Sequence, residues 1–152
     1  MDTKIINNHM ASLVQIVRCM HLKQVLCDIA PTPVLNYWRL INGDLLNLAI
    51  LDWLEIFGSD LESAHWKIIA NNEEEKRLFK DNLFKYLEVS PEQWDEKWER
   101  LKSFKDDLAA HHLQEGPIAI CPHLDLVLKS SCFYYEYLES LAPCREPGDE
   151  KY

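Results

Sequence analysis

The run Leu40-Ile41-Asn42-Gly43-Asp44-Leu45-Leu46-Asn47-Leu48-Ala49-Ile50-Leu51-Asp52-Trp53-Leu54-Glu55-Ile56-Phe57 decides the fold class. Its length and density of apolar residues predict a helix, from about Val34 to Phe57 and ended by Gly58. Leu40, Ile41, Leu45, Leu46, Leu48, Ile50, Leu51, Trp53, Leu54 and Phe57 cannot share one stripe of that helix. A helix apolar nearly all round is the central one of a bundle or also faces a partner subunit. Asn36, Arg39, Gly43 and Asn47 fall on a single line and read as its solvated edge, with a subunit contact at Gly43 as the alternative.

Upstream, Ile6, Met10, Leu13, Val17 and Met20 recur at three- and four-residue steps, predicting a first helix from about Lys4 to Ile29. Ala30-Pro31-Thr32-Pro33 stops it, because proline cannot continue a helix and constrains the residue before it. Downstream, Ser59-Asp60-Leu61-Glu62 has the form of a capping box. It opens a short segment through His65, Trp66 and Ile69, broken by Asn71 and Asn72. Glu73 to Glu88 reads as a helix with Leu78, Phe79, Leu83 and Leu87 inward, and Glu73-Glu74-Glu75 favours its dipole.

Ser90-Pro91-Glu92-Gln93 is a second cap, with proline at the first helical position. The helix it opens is expected to reach about Leu113 and to bury Trp94, Trp98, Leu101, Phe104 and Leu108. Gly116-Pro117 ends it. A last helix, about Leu124 to Leu141, carries Leu126, Val127, Phe133, Tyr134, Tyr137 and Leu138. The expectation is an all-α, up-and-down bundle of about five helices with residues 1–143 as one domain and 144–152 as a flexible tail.

Composition agrees. The chain has 152 residues, enough for one domain with its own core, and only four glycines, too few for the many turns of a β-sandwich or barrel. The formal net charge of −9 opposes nucleic-acid binding unless the basic residues gather on one face. No apolar run reaches the ~18 residues of a membrane span, and Met1-Asp2-Thr3-Lys4 does not begin a signal peptide. A cytoplasmic protein without a membrane partner is expected. The five cysteines, at 19, 27, 121, 132 and 144, are odd in number and scattered, which suggests packed free thiols.

The segment that could carry chemistry is Lys105-Asp106-Asp107-Leu108-Ala109-Ala110-His111-His112. At ~100° per residue, Lys105 and His112 lie within about 20° of each other and beside Leu101 and Leu108. His111 falls at the edge of that face, one turn after Asp107. Cations and imidazoles on an apolar stripe cost desolvation unless they are paired or line a cleft. A structural reading stands beside the functional one. Lys105 can snorkel, His112 can be a satisfied core histidine, and Asp107 can pair with His111 across one turn.

Lys105-Asp106-x-x-x-Ala110-His111 resembles the signature of the HEPN superfamily, an arginine and a polar residue followed about five positions later by a histidine. The motif's place in a late helix of a small bundle fits that superfamily, and Trp38-Arg39-Leu40 and His65-Trp66 resemble its abortive-infection branch; the likeness spans roughly Tyr37 to Leu113. It implies RNA cleavage without metal or cofactor, by a homodimer whose motifs face one another, in phage defence or a toxin-type role restrained by an antitoxin. DNA is not an expected partner. The resemblance assigns His111 as general acid or base, with His112 as alternate, and Lys105 and Asp106 as the supporting pair. The chain departs from the pattern where Lys105 replaces arginine, which removes the planar two-pronged grip on phosphate. Arg39 and Arg100 are the candidates to replace that grip, while Asp106, Asp107 and Glu115 oppose a phosphate backbone.

The alternative from another class is a catalytically inactive helical module. It would bind a protein partner through the apolar second helix or the aromatic last one. A zinc site from His65, His111, His112, His123 and the cysteines lacks the tight ligand spacing that structural zinc needs. Cys121-Pro122-His123 reads as a loop with a packed thiol. No phosphate-cradling glycine loop and no Gly-x-Ser-x-Gly elbow is present.

Overall fold

In a computed structural model the described residues are 3–29, 36–59, 64–111 and 123–141, with the side chains of 36, 39 and 107–111 excluded. They form five α-helices and one 3-10 turn: α1 (Thr3–Ile29), α2 (Asn36–Phe57), the turn Trp66–Ile68, α3 (Glu73–Leu87), α4 (Pro91–His111) and α5 (Leu124–Leu141). The fold is an all-α bundle, and no strand occurs among the described residues.

The helix ends follow from local chemistry. At α4, the Ser90 N–H donates to Gln93 Oε1 at 2.9 Å and the Gln93 N–H donates to Ser90 Oγ at 3.2 Å, the reciprocal box expected from the sequence. Asn72, expected only as a breaker, caps α3. Its Oδ1 accepts from the Glu75 N–H at 2.8 Å, and the Glu75 carboxylate returns to Asn71 N–H at the same distance. Gly58 ends α2 where a Cβ would be driven into the Leu54 carbonyl oxygen. The proposed capping box at 59–62 lies mostly outside the described residues.

Helix directions follow from pairwise contacts. Asn42 reaches Cys27, while Asp52, further along α2, acts on Cys19, earlier in α1; the two helices are antiparallel. Trp53 donates to Ser130 at 2.8 Å and Phe57 meets the Tyr134 ring, so α5 runs parallel to α2. Trp94 packs on Trp53 and Phe57, whereas Arg100 sits close enough to influence His123, at the start of α5. Helix α4 is therefore antiparallel to α2 and α5.

The core is aromatic. Trp53 and Tyr134 are both fully buried, with Phe57, Phe79 and Trp94 around them. Truncating one such side chain typically costs ~3–5 kcal/mol. The exposed ion pairs along α3, such as Arg77–Glu74 at 2.7 Å, are worth ~0.3–0.5 kcal/mol each. Packing, not surface charge, holds the bundle.

Three buried faces differ from the sequence reading. Helix α1 buries Ile6, His9, Leu13, Ile16 and Cys19, with Met10 and Met20 packed at the flank. Leu78 of α3 is exposed, and Phe79, Leu83 and Leu87 form the inward row. Helix α5 buries Ser130 and Ser131, while Phe133 and Tyr137 are only partly buried. Helix α2 is the central helix of the bundle, as expected. It contacts α1, α4 and α5 through Leu46, Ala49, Ile50, Trp53, Ile56 and Phe57, and it leaves Tyr37, Leu40, Leu48 and Leu51 exposed.

Candidate functional site

The motif occupies the last two turns of α4. Leu101 and Phe104 are buried, so the helix is anchored up to the motif. Lys105 follows with its side chain 34 % exposed, and its Nζ lies 3.1 Å from Asp106 Oδ1. The ammonium therefore reaches solvent instead of being sealed in the core, and a neighbouring carboxylate takes up part of its charge.

Helix α4 remains helical to His111. Position 111 thus lies about 9 Å along the axis from Lys105 and about 120° around it. The side chain of His111, with those of Asp107 and Leu108, is outside what is described, as is all of His112. The structure brings together Lys105 and Asp106 alone among the four candidate residues.

Of the two arginines considered as replacements, the Arg39 side chain lies outside the description. Arg100 is 58 % exposed and bonded to Glu96 at 2.6 Å. It stands about 140° around α4 from Lys105, so it does not extend the same cationic patch. Gly43, on the polar line of α2, is exposed, with nothing of its own chain within 4 Å of where a Cβ would stand.

His65-Trp66 has a structural role. His65 is buried and its Nδ1 accepts from the Lys67 N–H at 3.3 Å, capping the 3-10 turn. Trp66 stacks on Phe79 at 4.4 Å. His123 takes a left-handed conformation, φ 58°, at the mouth of α5, and its carbonyl accepts from Leu126 and Val127. Burial, then Lys97 and Arg100, lower its pKa against an opposing pull from Asp125 and Glu96. Its Nε2 is buried without a partner. Cys19 is buried and Cys27 and Cys132 are half-buried, all three free; Cys121 and Cys144 fall outside the described residues. Burial pushes the Cys19 and Cys132 thiols up, with Asp52 and Glu136 adding to the effect. Among the described residues no group of three or more His, Cys, Asp or Glu could hold a metal ion.

One polar pair was not legible in the sequence. His9 Nδ1 lies 2.7 Å from the Tyr134 hydroxyl, inside the core and across 125 residues of chain. Burial lowers the imidazole pKa and raises that of the phenol, so both are neutral. If the phenol donates to Nδ1, only the Nε2 N–H is unsatisfied. The opposite tautomer leaves two groups unsatisfied, the phenol proton and the Nε2 lone pair, so the first is preferred. The pair is sealed and does not contact Lys105 or Asp106. No local pattern marks it, because one partner is a histidine on an apolar stripe and the other lies on the last helix.

No protein-family model, curated protein or solved structure matches this chain. Among the described residues no helix is long and apolar enough to cross a membrane.

Proposed function

We propose that the chain is a HEPN-like protein of the abortive-infection type that acts on RNA in the cytoplasm as a homodimer. In this reading His111 is the general acid or base and His112 its alternate. Lys105, oriented by Asp106, stabilises charge on the phosphate. The observation that carries it is a coincidence of position. Because α4 runs antiparallel to α2, Lys105 to His111 lie ~16–25 Å beyond Trp94, near the amino-terminal end of α2. That end carries exposed Tyr37, Trp38 and Leu40, and the antiparallel α1 brings exposed Leu22, Val25 and Ile29 to it. Chemistry-bearing residues and an uncovered apolar surface therefore share one end of the bundle. That is the arrangement a cleft between two copies needs.

The test is incubation of pure protein with unstructured RNA in EDTA. Cleavage is expected, and His111→Ala with His112→Ala together should abolish it. Lys105→Arg should raise the rate, because guanidinium grips phosphate with two prongs.

The same exposed surface supports a second reading, a catalytically inactive module that docks a protein partner. The Lys105–Asp106 ion pair and the net charge of −9 favour it over RNA contact. Absence of cleavage at any concentration, with the double-alanine variant indistinguishable from wild type, would leave that reading in place.

A further inference from the structure

We draw no further inference here: the strongest candidate, the apolar groove between α1 and α5 lined by Leu13, Val14, Val17, Cys132 and Tyr135, is an unpartnered apolar face, and nothing in the structure shows what covers it.

Discussion

His9 shows how a single residue can organise a core and make it sensitive to acid. It sits where a leucine would pack, bonded to Tyr134 and held neutral by burial. Because its folded pKa lies below the ordinary value near 6.5, the unfolded chain takes up a proton that the folded chain refuses. The stabilisation is complete above pH ~6.5 and is lost as pH falls from there through the folded value, by up to ~1.4 kcal/mol per pH unit. His123, also lowered, acts in the same direction. Asp52 acts the other way, because burial and then Glu55 raise its carboxyl pKa, so acidification relieves a cost. The His9 contribution is isolated by difference. His9→Phe should be less stable than wild type at pH 7, since it strands the Tyr134 hydroxyl. The gap should narrow steadily as urea unfolding is repeated down to pH 5. A gap independent of pH would show that His9 does not resist protonation. This pair could not be read from the chain, because an imidazole counts as polar in any periodicity until its partner is known. The serines of α5 escaped for the same reason: Ser130 accepts from Trp53 while donating back to the Leu126 carbonyl at 2.7 Å.

Most of the elements were legible in the sequence, and the successes have local causes. Ser90-Pro91-Gln93 and the Glu73-Glu74-Glu75 turn mark helix starts through contacts within four residues. The inward faces were harder to read, since a face depends on what lies opposite. Helix α1 packs on both α2 and α5, so its buried stripe centres on 9, 16 and 19 and leaves Met10, Val17 and Met20 at the flanks. At the end of α3 the chain accepts a local strain. Glu88 is left-handed, φ 55° and ψ 42°, and Val89 N–H closes onto the Phe84 carbonyl at 3.1 Å. A residue with a Cβ pays for that conformation, and glycine does so far less. The Glu88 side chain is exposed, so little is lost with it. Glu88→Gly should raise the urea midpoint, by about 0.5–1 kcal/mol in stability. An unchanged or lower midpoint would mean that the left-handed turn is not strained.

For the molecule as a whole, the open question is what covers the end where the candidate motif lies. The candidate site was legible only as a string of residue types. Its Lys105–Asp106 half is a surface ion pair, and whether a second copy completes it depends on contacts no single chain contains. The exposed side chains argue for an answer. Tyr37, Leu40, Leu48 and Leu51 follow one another at steps of three, eight and three residues along one line of α2, with Asp44 midway in the long step, and Tyr37 is 64 % and Leu40 58 % exposed. Scattered exposed leucines are ordinary, but several aligned on one helix face mark a contact surface. Leu40→Glu should convert a dimer to a monomer in light scattering without changing the helical signal, since Leu40 lies outside the core. Leu78→Glu, on α3 and also exposed, should leave the assembly intact. The two substitutions exchange the same residue types at exposed positions and add the same charge, so a difference between them reports position. If RNA cleavage requires two copies, Leu40→Glu should also lose it while retaining His111 and Lys105. A wild-type chain that is monomeric at every concentration would sink the homodimer and leave the α2 line to a partner of another kind.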